Sequence, residues 1–271
     1  MISFNRYKDG KRFIATFSYD DGFNTDIRLI EIFNRYGVKG TFHLNSKNYR
    51  NCSEDKVLEL RKRYEGHEIS THTFSHCFPT NIPKTVLVNE VVEDRKCLER
   101  IAGYPVYGMS YPYGDYDDEV IKTIRECGIL YSRTVCNTRN FRLPKNFLEW
   151  HPTAHHNGIE NAISSFFEKM DTDSVKDPLL YIWGHSYEFE TEEQWQMIEN
   201  ALKRLSERKD EIWFATNMEI YNYVTALKSL RVAVDESCVY NPTDVDIWLE
   251  KDKVVYKVSA GETVNFSEKQ V

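Results

Sequence analysis

RFIATFSYDDGFNTDIRLIEIFNRYG, residues 12–37, reads as one strand followed by one helix. Arg12–Ser18 is rich in β-forming residues. Asp20-Asp21-Gly22 then breaks the run, and Gly22 permits a tight turn. Over Asp26–Tyr36, Ile27, Ile30 and Phe33 recur at helical spacing, and Gly37 ends the helix. The same unit repeats outward from here. Strands are expected at Gly40–Leu44, His67–Ser70, Val106–Ser110, Leu130–Val135, Leu148–Pro152, Leu179–Trp183 and Ile212–Ala215. Helices are expected at Glu54–Tyr64 behind a Ser53 cap, Thr85–Ile101, Asp117–Cys127, Glu160–Met170 and Met218–Leu230. One more opens at Thr191 with a capping box to Gln194. Repeated βα units require a parallel sheet, and seven or eight of them favour a (β/α) barrel that can be incomplete. The rhythm breaks at the tail. Arg231–Val234, Asp246–Glu250, Val254–Val258 and Thr263–Phe266 alternate like antiparallel strands, with turns at Asn241-Pro242, Lys251-Asp252 and Ala260-Gly261. The expected organisation is an α/β barrel over residues 1–230 and a small β appendage over residues 231–271.

The 271 residues are 41% hydrophobic and 28% charged, which suits an ordinary globular chain and excludes disorder. A net charge of -7 argues against non-specific binding to nucleic acid or anionic membrane. No apolar stretch is long enough to span a bilayer. The N-terminal MISFNRYKDGKRF has no apolar run, so a cytoplasmic location is expected. The six cysteines form no CxxC pair and no zinc framework; reduced thiols are expected.

Polar residues gather just after the expected strands. Asp20 and Asp21 follow the first, His72 and His76 the third, Pro112-Tyr113-Gly114 the fourth. Arg133 lies near the fifth, His151, His155 and His156 follow the sixth, and His185 follows the seventh. In a βα barrel these ends share one rim. His72 and His76 stand at i,i+4, a spacing that lets two imidazoles meet one metal, though alone such a pair is commonly solvated. Of two adjacent carboxylates, one can ligate a metal while the other stays free as a base; an isolated D-D-G is more often a plain turn. A strand-end histidine such as His185 can serve as general acid. The gathering of all of them on one rim makes coincidence much less likely.

Two motifs carry a family resemblance. Thr16-Phe17-Ser18-Tyr19-Asp20-Asp21-Gly22 resembles the T-F-D-D-G-type run, and His72-Thr73-Phe74-Ser75-His76 the H-[ST]-x-x-H motif, of the polysaccharide deacetylases. This family is also called the NodB-homology domain or carbohydrate esterase family four. The resemblance covers roughly residues 12–225. It implies a deformed (β/α) barrel and one divalent metal, zinc foremost, held by Asp21, His72 and His76. It implies Asp20 as general base and His185 as general acid. The third motif is normally R-x-P-Y; here it reads Ser110-Tyr111-Pro112-Tyr113, with the Tyr113 N–H as oxyanion donor and Ser110 where the arginine belongs. Arg133, on the next strand, is the expected substitute partner for Asp20; an exterior salt bridge is the competing role. Pro112, Tyr113, Trp150 and Trp183 are the expected substrate contacts, the tryptophans as candidates for an apolar wall around an acetyl methyl group, with plain core as their equal alternative. The implied activity is removal of an N- or O-acyl group from an acetylated saccharide. A non-sugar amide on the same site, or an inactive metal-bound carbohydrate-binding module, are the competing readings.

Overall fold

The structure, a computed structural model, describes residues 1–266; the last five residues of the expected appendage lie outside them. β1 (Ile2–Ser3) precedes the first βα unit, β2 (Phe13–Asp20) and α1 (Asp26–Tyr36). There follow β3 (Gly40–Leu44), α2 (Glu54–Arg63), β4 (Glu68–Thr71), α3 (Lys84–Ala102), β5 (Gly108–Ser110), α4 (Asp118–Glu126) and β6 (Tyr131–Arg133). Then come β7 (Ala154–His155), α5 (Ile159–Asp171), β8 (Leu179–His185), α6 (Glu192–Ser206), β9 (Ile212–Phe214) and α7 (Asn217–Ser229). The tail holds β10 (Arg231–Val232), β11 (Cys238–Tyr240), β12 (Ile247–Lys251), β13 (Val254–Val258) and β14 (Thr263–Asn265).

The parallel strands curl in the order β6-β5-β4-β3-β2-β8-β7, with β9 added against β2. This is the deformed barrel expected from the βα rhythm. A parallel bridge between Arg133 and Trp150 brings the β6 edge back towards the segment entering β7. β2 has three neighbours: β8 along its whole length, β9 at Phe13–Ala15 and β3 at Phe17–Asp20.

Alternation along β2 sorts the interior from the exterior. Phe13, Ala15, Phe17 and Tyr19 join the large apolar cluster with Phe33, Phe42, Ile163 and Leu202, under the helices. Ile14 belongs to a second cluster with Tyr131, Trp150 and Tyr181. Thr16, Ser18 and Asp20, on the same face as Ile14, are all buried. Thr16 donates to Asn217 Oδ1 at 2.9 Å and Tyr181 OH to Ser18 at 3.3 Å, so a polar network lies above the apolar plug. The helices obey local rules. Ser53 accepts from the Lys56 N–H at 3.3 Å, a cap that contributes about 1 kcal/mol.

Two expectations need correction. Leu148–Pro152 is not a strand. Asn146 accepts from the Leu148 N–H at 3.1 Å and winds Phe147–Glu149 into a 3-10 turn, while Pro152 has no N–H to pair; apart from the single bridge at Trp150, the next strand begins only at Ala154. The tail also contains β11, whose Cys238–Tyr240 lacks clear alternation, and it forms two small antiparallel sheets, β1-β12-β13 and β10-β11-β14. Ile2, Val239, Leu249 and Val258 form their core. Ile247 packs into the barrel cluster, and Tyr223 OH accepts from the Trp248 N–H at 2.9 Å, which ties tail to barrel. Among the described residues no helix is long and apolar enough to cross a membrane.

Asp26, buried at the start of α1, accepts from Ser186 Oγ at 2.5 Å and Tyr64 OH at 2.8 Å. Burial outweighs these donors and raises its pKa from 3.8 to about 7. Between those values the folded state keeps a proton that the unfolded chain has shed. This stabilisation is complete below the unfolded value and is lost as pH rises through the folded one. Urea midpoints at about pH 5 and about pH 8 should fall with pH in wild type, and Asp26→Asn should flatten that part of the fall.

Candidate active site

The expected rim assembles at the C-terminal ends of β2, β4, β5, β6 and β8. Asp21 Oδ1 lies 3.8 Å from His72 Nε2 and 3.6 Å from His76 Nε2. Donors sharing one tetrahedral ion with bonds near 2.1 Å sit roughly 3.4 Å apart, so an O,N,N set at these separations fits a first-row divalent metal. His72 Nδ1 donates to Ser110, at 3.0 Å to its carbonyl and 2.6 Å to its hydroxyl. That fixes the tautomer and leaves Nε2 free towards Asp21. Burial lowers the His72 pKa, with His76 adding to the effect, which keeps the ring neutral as a ligand must be.

The backbone bends hard around this set. Asp21, Thr73, His76 and Tyr113 all have φ between 57° and 77°, in the left-handed region. The Asp21 N–H is held by the His43 carbonyl at 2.9 Å, and the Thr73 N–H by Thr71 Oγ1 at 3.3 Å. Asp94, buried beneath β4, accepts from the Ser46 N–H at 2.7 Å, the His72 N–H at 3.2 Å and the Thr71 hydroxyl. The H-T-F-S-H segment is therefore a braced loop and not a helical turn; the i,i+4 spacing converges by left-handed bends.

Asp20 is 2% exposed and Arg133 fully buried; Arg133 Nη2 donates to Asp20 Oδ2. Ser110 Oγ donates to Asp20 Oδ1 at 3.2 Å. Burial alone would raise the Asp20 carboxyl, but Arg133, then His72, His43 and His185, hold it well below the usual carboxylate range. The Arg133 guanidinium lies 4.5 Å over the Trp183 ring, whose Nε1 donates to Asn137 at 2.8 Å. His185 Nε2 is 4.0 Å from Asp21 Oδ2, and its Nδ1 is 3.3 Å from Glu188. Burial would lower the His185 pKa; Glu188, Asp20 and Asp21 outweigh it and raise it.

Not every expected contact reaches this rim. Trp150 is 1% exposed and packs edge-on against Tyr131 and Tyr181, so it is core and not a wall of the site. Pro112 is buried under its turn and offers substrate no surface. Tyr113 is exposed, stacked on Phe78 with centroids 3.9 Å apart and lying 4.5 Å from the His76 ring. Across the site Phe23 and Tyr187 form a second exposed pair at 4.7 Å. Phe23, Phe78, Tyr187, Glu188 and Asp94 were not legible as site residues. Glu188 three residues beyond His185 was the one available signal.

The polysaccharide deacetylase family model matches residues 7–132. That stretch contains Asp20, Asp21, His72, His76 and the Pro112–Gly114 turn. Residues 7–132 belong to the polysaccharide deacetylase family. A chitin deacetylase of Arthroderma benhamiae is 33% identical over 112 residues, 40% of this chain and 30% of that protein. A peptidoglycan-N-acetylglucosamine deacetylase of Bacillus cereus is 27% identical over 113 residues, 40% of this chain and 39% of that protein. The matches thus take in well under half of each relative. The Xyl-CE4 domain of a multidomain xylanase from the hindgut metagenome of Trinervitermes trinervoides shares the fold, with a TM-score of 0.53 over 79% of this chain and 92% of that one at 16% identity. Arg133 and His185 lie beyond the stretch that matches the polysaccharide deacetylase family, and their geometry rests on the structure alone.

A buried ion pair broken on one side leaves the other charge uncompensated. Arg133→Met should therefore cost about 3–5 kcal/mol in urea unfolding, and adding Asp20→Asn should recover part of that loss. Equal stability of wild type and Arg133→Met would show that the pair is not formed.

Proposed function

We propose that this chain is a metal-dependent hydrolase that removes an acetyl group from a saccharide. The observation that carries the reading is the convergence of Asp21 Oδ1, His72 Nε2 and His76 Nε2 beside a buried, charged Asp20 and a half-open His185. Asp21, His72 and His76 would hold the ion, with zinc suited to the donor set. A divalent ion bound there lowers the pKa of a coordinated water and polarises the acyl carbonyl.

The chain supplies the rest. Asp20 stays ionised and accepts the proton of the attacking water as general base, oriented by Arg133 and Ser110. The Tyr113 N–H, turned by its left-handed φ, donates to the developing oxyanion. His185 delivers a proton to the leaving nitrogen or oxygen from Nε2, while Glu188 faces Nδ1. Trp183 borders the site between Arg133 and His185, where an acetyl methyl group would sit. The exposed pairs Phe78–Tyr113 and Phe23–Tyr187 flank the rim and offer flat apolar faces to sugar rings, which supports a saccharide over a small non-sugar amide. Ser110 in place of the motif-three arginine would favour an inactive binding module, but Arg133 approaches Asp20 from another strand and removes that ground.

Acetate release from N-acetylated chitooligosaccharides, peptidoglycan fragments and acetylated xylan tests the reading. Wild type should turn over at least one of them. Asp20→Asn should lose about 100-fold or more in kcat while keeping its metal. Metal retention and saccharide binding without acetate release from any substrate would instead establish the binding module. Elemental analysis of His72→Ala with His76→Ala should show loss of the Asp21-centred metal. Phe23→Ala should raise KM several-fold with a smaller change in kcat, because it removes a stacking face and no reacting group; an unchanged KM would remove that face from the saccharide path.

A further inference from the structure

A second donor cluster stands on the far side of His185. Glu188 Oε2 lies 3.0 Å from His155 Nε2, 3.3 Å from His156 Nε2 and 3.3 Å from His185 Nδ1, and also accepts the His185 backbone N–H at 3.0 Å. One carboxylate oxygen has about two lone-pair directions, so it cannot satisfy four donors at once. The strain shows in the rings. Both nitrogens of His156, a fully buried side chain, and Nδ1 of His185 have no hydrogen-bond partner of acceptable geometry.

The cluster is built, not incidental. His156 is clamped between Tyr19 and Phe189, with centroids at 5.8 Å and 4.4 Å. Position 184 must be glycine for it: a Cβ there would fall 2.1 Å from His156 Nδ1. His155 is packed edge-on to Trp183 at 4.8 Å and lines an open cleft with Asn137, Thr153 and Ser165, which gives an ion a way in. Replacing shared protons with a cation resolves the conflict, because each neutral imidazole then offers a lone pair and the carboxylate its charge; at His155 this takes the Nδ1–H tautomer, which gives up the long 3.4 Å contact from the Asn157 N–H. The separations of 3.0 Å and 3.3 Å are near the roughly 3.4 Å between ligands of one tetrahedral ion.

We propose that His155, His185 and Glu188 form a second site for a first-row divalent cation, backed by His156 and distinct from the Asp21-His72-His76 set. Zinc is the chemical match for this N,N,O donor set. An ion there occupies Nδ1 of His185. If His185 is the general acid, a consequence that rests on the function proposed above, filling this site withholds its second proton-bearing nitrogen and slows turnover, so excess zinc inhibits.

The test is metal binding, which does not need activity. Untagged protein is stripped, dialysed against zinc chloride and analysed for metal, and cobalt(II) is titrated while the visible ligand-field bands are followed. Wild type should bind two equivalents. His72→Ala with His76→Ala should keep one, and that one should bind at least about tenfold more weakly when His155→Ala or Glu188→Gln is added. Thermal melts confirm folding, and His155→Ala, at a partly exposed ring, carries the test if Glu188→Gln does not fold. A single equivalent in wild type that disappears with His72 and His76 overturns the proposal, as does a second equivalent unmoved by His155→Ala. If acetate release is found, excess zinc should inhibit wild type and not His155→Ala; a second equivalent without such inhibition keeps the site and overturns only its effect on His185.

Discussion

The rim depends on the buried pair of Asp20 and Arg133. Each charge alone would cost several kcal/mol to hold out of water, and neither carries solvent-exposed surface of consequence. Together they draw β2 and β6 into one interior. Ser110, on the strand between β4 and β6, completes the arrangement: its hydroxyl donates to Asp20, and it also receives the proton of His72 Nδ1. A single serine thus couples the Asp20 carboxylate to the ring of a candidate ligand. In the family pattern an arginine fills this position. Here the positive charge comes from the next strand, and the small side chain leaves room for it.

The sequence made the barrel legible because β2 carries both periodicities: apolar alternation beneath the helices and a polar set inside. The convergence of Asp20, Asp21, His72, His76, Arg133 and His185 on one rim was legible because they follow successive strands of a parallel barrel. Trp150 was misplaced because an aromatic in a short apolar run looks alike whether it faces a cleft or plugs the interior. The Leu148–Pro152 strand failed because a cap from Asn146 and a proline outweighed a short apolar run. Phe23 and Phe78 escaped because their partners Tyr187 and Tyr113 come from elsewhere in the chain, and no local spacing encodes that.

Among the described residues, ten that are not glycine have positive φ, and four of these are Asp21, Thr73, His76 and Tyr113. Left-handed backbone at such residues costs of order 1–3 kcal/mol each, most for a β-branched one such as Thr73. It persists because hydrogen bonds from Asp94, His43 and Thr71 over-determine the loops. The stiffness places three donors from two loops in one spot.

The three neighbours of β2 have a kinetic side. Phe13 waits for Ile212 and Ile14 for Leu179, while β3 is available almost at once. During synthesis the first strand has one edge partly covered and the other open until most of the chain has emerged. Such long-range parallel pairing is slow and leaves apolar strand surface exposed meanwhile. The family-matched stretch therefore contains the candidate-site carboxylates Asp20 and Asp21 but not the strands that close around them. Its folding is completed from the far end, and a truncation after β6 would leave Phe13, Ile14 and Phe17 on an open, aggregation-prone edge.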